Sequence, residues 1–155
     1  LSDTDWGAQN LNLIRENYRE APHYEEVFAE FEKLYALPCM RLAEFTLASI
    51  DMLLRLFDIS IPRISSSSLQ PKGSKNELLV DILRKVDATH YLSGIGARDY
   101  FEPAPFAEAG IEVAWQSFKH PVYPQLHGEF VPFLSSIDML FNCGTEESRR
   151  ILRSC

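Results

Sequence analysis

Basic residues are in deficit. Fifteen Lys and Arg against 22 Asp and Glu leave a net charge of -7 and a pI near 5.1. Counterion release from nucleic-acid phosphates needs clustered Lys and Arg, so this balance argues against a nucleic-acid surface. A phosphate-bearing ligand would have to be held locally, by backbone N–H groups or single arginines. Cysteine is scarce as well: Cys39, Cys143 and Cys155 are odd in number, widely spread and match no metal or redox spacing, which points to a reducing compartment, the cytoplasm. No apolar run approaches the roughly 18 residues of a membrane span. The start, Leu1-Ser-Asp-Thr-Asp, lacks the basic residues of a signal peptide, and without an initiator Met a processed or truncated product is expected. No internal repeat is visible, and Ser65 to Ser68 is the one low-complexity patch.

What is present suffices for one compact domain over residues 1–155, since 46% of 155 residues are hydrophobic. Leu11, Ile14 and Tyr18 form a helical stripe over Trp6 to Asn17, with Asp3, Thr4 and Asp5 offering capping oxygens. Tyr24, Val27, Phe28, Phe31, Leu34 and Tyr35 recur at spacings of three and four, the mark of an amphipathic helix whose acidic start suits the helix dipole. Between Met40 and Phe57 apolar side chains cover almost every side, as expected of a central helix enclosed by its neighbours. Residues 1–58 thus read as a three-helix layer.

From Asp58 the period shortens, and residues 59–144 read as an α/β core. Ile59 to Ile64, interrupted by Pro62, reads as a strand or strand entry. Ser74 and Glu77 have capping-box spacing ahead of a helix that buries Leu78, Leu79, Ile82, Leu83 and Val86. His90 to Ser93 is a second short strand. Gly94 to Glu102 is a loop, Pro105 to Ala109 a short helix, and Ile111 to Gln116 an alternating strand. The expected fold class is α/β, a small mainly parallel sheet with crossover helices preceded by the three-helix layer. Phe118 to Gln125, with two prolines, reads as a fixed loop. Leu134 to Phe141 is a helix ending at Gly144 in left-handed geometry, and Thr145 caps a terminal helix over 145–155.

Ligands of such sheets sit outside the carboxyl ends of the strands, where three polar turns would converge. Ser66 and Ser67 offer hydroxyls to a polar ligand or are simply solvated. Gly94 and Gly96 either admit a phosphate or sugar to the backbone or make a tight turn. Arg98 can grip an anion with its planar fork or pair with Asp99 or Glu102. Asp99, Tyr100 and Gln116 complete that rim, and Tyr123, Gln125 and Asn142 complete the third turn.

His120 titrates near neutrality, so it serves either as a general base or, hydrogen-bonded, to fix its loop. Asp138, on an apolar helix, is either a buried acceptor for that loop or an orienter of His120. Burial of a carboxylate requires a partner among Tyr123, Gln125 and His120 in both cases. Cys143 has no basic neighbour in sequence to lower its pKa and reads as a packed thiol. His23, His90 and His127 show no metal spacing, and no metal is expected.

These motifs together carry a resemblance. Ile64-Ser-Ser-Ser-Ser-Leu69 with Gly73 and Leu78-Leu79 comes first, then Tyr91-Leu-Ser-Gly94 with Gly96, Asp99 and Tyr100, then Ala109-Gly-Ile111 and Gln116. His120-Pro-Val-Tyr-Pro-Gln125, Phe130 and Leu134-Ser-Ser-Ile-Asp-Met-Leu-Phe-Asn-Cys-Gly144 follow in order. The set resembles the WbqC-like protein family over most of the chain. The resemblance implies lipopolysaccharide O-antigen or other surface-polysaccharide biosynthesis in bacteria.

Two functions are consistent with it. One is a transferase acting on a nucleotide-linked amino sugar or an acyl or aminoacyl donor, with His120 and Asp138 catalytic. The other is a non-catalytic binding or assembly component. No cofactor is implied, and the expected partner is a small-molecule ligand. Family members usually begin with a further segment rich in Pro, Tyr, Trp and Asp, so this chain looks like their C-terminal two-thirds. Where they carry Gly-Gly, this chain has Gly96-Ala97.

Overall fold

The structure, a computed structural model, describes residues 5–38 and 41–155. Cys39, Met40 and the capping oxygens of Asp3 and Thr4 lie outside the described residues. The fold is helix-rich α/β: three helices, α1 (Trp6–Tyr18), α2 (Tyr24–Tyr35) and α3 (Leu42–Leu56), precede a small two-stranded parallel sheet. The chain forms two compact units, Leu1–Ser60 with Lys119–Cys155, and Ile61–Phe118. No helix among the described residues is long and apolar enough to cross a membrane.

The first unit is built on α2 and on α7 (Ser136–Arg153). Val27, Phe28, Phe31 and Leu34 of α2 are buried, as the spacing predicts, and meet the fully buried Leu140 and Phe141 of α7. The Phe141 ring stacks on Tyr18 at 4.4 Å and 9° and on Phe31 at 5.8 Å and 19°. Burying each such side chain contributes about 1.5–3 kcal/mol.

The expectation for α3 is corrected. Met52 and Leu56 are buried and Phe45 and Ala48 pack beside them, but Leu42 is 64% and Leu47 58% exposed. An apolar helix is enclosed only if partners surround it, and here α2 covers one face. The centre of this core is therefore α2 with α7.

Gly144 takes φ 74° and ψ 172°, non-helical values that divide α7 into two helices meeting at a kink, as its placement at a helix end requires. The second of these helices runs from the kink to Arg153, and at its start the Thr145 hydroxyl donates to Glu26 Oε1 at 2.9 Å. A β-carbon at Gly144 would lie 2.6 Å from the His23 imidazole, so both conformation and space demand glycine.

In the second unit β1 (His90–Ser93) pairs in parallel with β2 (Glu112–Trp115), His90 opposite Glu112 and Ser93 opposite Trp115. The crossover between them is a 3-10 helix, Ile95–Tyr100, followed by α6 (Pro103–Glu108). Thus the segment after Gly94 is helical where a loop is expected. Val80 of α5 (Lys75–Lys85), Phe106 and Ile111 form the small core, with Leu79, Tyr91 and Val113 packed on it.

Two expectations fail in this half. Ile59 to Ile64 makes no strand: Ile61 and Ile64 are 59% and 61% exposed, and Pro62 withholds an N–H from any ladder. Ser74 does stand at the N-cap of α5, yet its hydroxyl makes no capping bond. Lys75 follows at φ 49°, a left-handed value at the first helical residue.

Candidate functional site

The serine run folds into a single helical turn, α4 (Ser66–Leu69), not a loop. Its hydroxyls bond within the turn: Ser65 Oγ lies 2.8 Å from Ser67 Oγ, and Ser68 Oγ donates to the Ser65 carbonyl at 2.7 Å. Short side chains that can reach nearby backbone do so by default.

Gly94 caps the 3-10 helix with φ -71°, an ordinary value, and a β-carbon at Gly94 or Gly96 would meet nothing within 4 Å. Neither glycine is demanded by its turn. The open space beside both would admit an approaching ligand as readily as a side chain. The Arg98 guanidinium sits over Trp115, 5.1 Å from the ring centre, a cation–π contact. Tyr100 is 69% exposed, and its carbonyl accepts from the buried Asn76 amide at 3.1 Å, which ties the turn to α5. The Gln116 N–H donates to the Ser93 carbonyl at 2.8 Å and so extends the ladder by one bond. Asn76 and Trp115 escape sequence reasoning because each acts across a tertiary contact.

The first unit gathers the remaining candidates. His120 Nδ1 lies 2.8 Å from the Pro121 carbonyl. A carbonyl only accepts, so Nδ1 carries the proton, and in neutral imidazole Nε2 then keeps its lone pair. The ring is framed by aromatics, with centres at 6.1 Å for Tyr123, 5.8 Å for Phe130 and 5.2 Å for Phe133. Tyr123 and Phe130 pack edge to face at 5.4 Å, which completes the frame.

Asp138 is buried in α7 and collects donors from two other parts of the chain and from Asn142 one turn along the same helix. Tyr18 donates its hydroxyl to Oδ1 at 3.1 Å, Gln125 its Nε2 to Oδ2 at 2.9 Å, and Asn142 its Nδ2 to Oδ1 at 3.3 Å and to the Asp138 carbonyl at 2.8 Å. The same Gln125 amide pairs with both backbone groups of Val131, donating to the carbonyl at 3.0 Å and accepting from the N–H at 2.8 Å. It thereby mimics a strand neighbour and closes the His120 loop onto α7. Of the partners anticipated for Asp138, Gln125 donates to Oδ2, and Tyr123 interacts with the same carboxylate, which raises its phenol. Tyr18 escapes notice because 120 residues separate it from Asp138.

The local electrostatics favour neutral phenols. Burial pushes Tyr123 up to about 12, with the Asp138 carboxylate adding to it and Gln125 opposing. Burial, then the charge of Asp138, raises Tyr18 as well. Cys143 is raised by burial, then by Glu147 and Asp138, which keeps its thiol protonated and poorly nucleophilic.

A cleft of about 860 Å³ lies along the second half of α7, lined by His23, Asp58, Thr145, Arg149, Arg150 and Arg153 among others. Its arginines are engaged internally. Arg149 donates to the Leu56 carbonyl, Arg150 pairs with Glu147, and Arg153 pairs with Asp58 at 2.6 Å. Among the described residues no three His, Cys, Asp or Glu side chains gather as metal ligands would.

Comparison with known proteins agrees with the motifs. The model of the WbqC-like protein family matches residues 1–150. The uncharacterized protein Rv1507c of Mycobacterium tuberculosis (strain ATCC 25618 / H37Rv) is 28% identical over 148 residues, covering 94% of this chain. This chain spans 64% of that protein's length. No solved structure matches. The family match takes in all of the chain but its last five residues, and the chain belongs to the WbqC-like protein family.

Proposed function

We propose that this chain serves bacterial surface-polysaccharide biosynthesis as a transferase acting on a nucleotide-linked amino sugar or on an acyl or aminoacyl donor to one. His120 is its general base, and the observation that carries this role is the bond from Nδ1 to the Pro121 carbonyl, which leaves Nε2 as the basic atom. Asp138 positions the loop through Gln125. The pathway itself rests on the family alone.

The test is His120→Asn, whose amide nitrogen can still donate to the Pro121 carbonyl while Nε2 is lost. Turnover of nucleotide-linked amino sugars, followed by mass spectrometry, should fall by roughly 10²- to 10⁴-fold. The melting temperature should stay within a few degrees of the parent. Retained turnover refutes the role.

One observation favours a second reading, a non-catalytic binding or assembly component of the same pathway. The polar atoms of Gln125, Asn142 and Asp138 are spent on the protein itself. Thermal-shift measurements with UDP- and dTDP-sugars and acyl carriers separate the two: tight binding of a donor raises the midpoint by mass action and favours the transferase.

A further inference from the structure

The segment after the Gln125 clamp contains a residue whose placement the fold does not explain. Phe133 adopts φ 62°, a conformation that costs a bulky side chain about 1–3 kcal/mol. Its ring is nonetheless 79% exposed, so burial does not repay that cost. Its ring meets His120 edge to face, centres 5.2 Å apart at 69°. This geometry leaves aromatic surface open beside the imidazole. Val122, two residues beyond His120, is 78% exposed and extends the apolar character of the same turn.

The backbone two residues before Phe133 is clamped. Gln125 grips both backbone groups of Val131, and Asp138 grips Gln125. A strained residue persists only where its surroundings over-determine it, and strain kept at an exposed aromatic is found where the ring serves a ligand.

We propose that Phe133 is a stacking platform for the base of a nucleotide ligand, seated beside His120. This deepens the transferase reading and rests on its nucleotide-linked donor. An aromatic face accepts any base, because every base has a π face, and one such stack changes affinity roughly ten- to hundredfold.

The experiment measures binding, not turnover. The chain is titrated by calorimetry with uridine 5′-monophosphate, adenosine 5′-monophosphate and ribose 5-phosphate, the last lacking a base. At least one nucleotide should bind ten times more tightly than ribose 5-phosphate. Phe133→Asn, which tolerates positive φ, should erase that difference without lowering the melting temperature, and Phe133→Trp should keep it.

The platform is overturned if neither nucleotide outbinds ribose 5-phosphate, if the difference survives Phe133→Asn or is lost in Phe133→Trp, or if Phe133→Asn lowers the melting temperature. Failure here leaves the His120→Asn turnover result standing. Conversely, retained turnover in His120→Asn leaves the platform standing.

Discussion

Gln125 and Asp138 are joined by a 2.9 Å bond from Nε2 to Oδ2 that fastens a proline-bounded loop to the helix at the centre of the first unit. Asp138 is buried and receives donors from Tyr18 and Asn142 besides. Removing such an acceptor leaves three donors to find new partners.

Asp138→Ala should therefore cost about 3 kcal/mol of stability, within the range seen when one member of a buried charged network is deleted. Urea unfolding measures it. A loss below 1 kcal/mol would show that the donors find water instead.

Gln125→Glu sets a second carboxylate against Asp138. Two adjacent carboxylates share a proton, so the folded pair binds protons more tightly than the unfolded chain. Stability of this variant should be near that of the parent at acidic pH and fall as pH rises through the raised carboxyl range. A urea midpoint that follows the parent at every pH would contradict it.

Alkaline pH probes the phenols of the parent chain. Tyr123 is raised to about 12 and Tyr18 is raised too, so the folded state holds these protons above the unfolded value near 10. Their contribution is fully present below pH 10 and is lost as pH climbs from about 10 toward 12. Tyr18→Phe with Tyr123→Phe should flatten that decline, read as urea midpoints across the range.

Gly144→Ala meets both a positive φ and the His23 ring at 2.6 Å. A destabilisation of about 2 kcal/mol or more is expected, beyond the roughly 1 kcal/mol of the backbone term alone. Adding His23→Ala should recover the steric share and leave the conformational share. Equal melting temperatures for Gly144→Ala and the double variant would exclude the clash.

Phe141→Ala removes a fully buried ring stacked on Tyr18 and Phe31 and should cost about 3–5 kcal/mol. At that cost the first unit is expected to lose cooperative unfolding near room temperature, visible as a broadened near-UV transition.

Local pattern determined much of this protein. The period of Tyr24 to Tyr35 specified α2 and its buried face, the alternation in Ile111 to Gln116 announced β2, and the glycine at 144 marked the left-handed position. Each of these depends on neighbours within a turn or a strand, so the information is carried by adjacent residues. The separated motifs likewise sufficed for the family.

Tertiary structure alone decided the rest, because it turned on which partners arrive. An apolar α3 reads as enclosed, yet its Leu42 and Leu47 lie in solvent, on faces that the packing around Phe45, Met52 and Leu56 does not reach. Ile59 to Ile64 has strand-like composition, but a strand exists only when another pairs with it. The bond between Tyr18 and Asp138 spans 120 residues, and the clamp of Gln125 on Val131 closes a loop onto α7. Such relationships are set by chain closure in space, to which spacing along the sequence is blind.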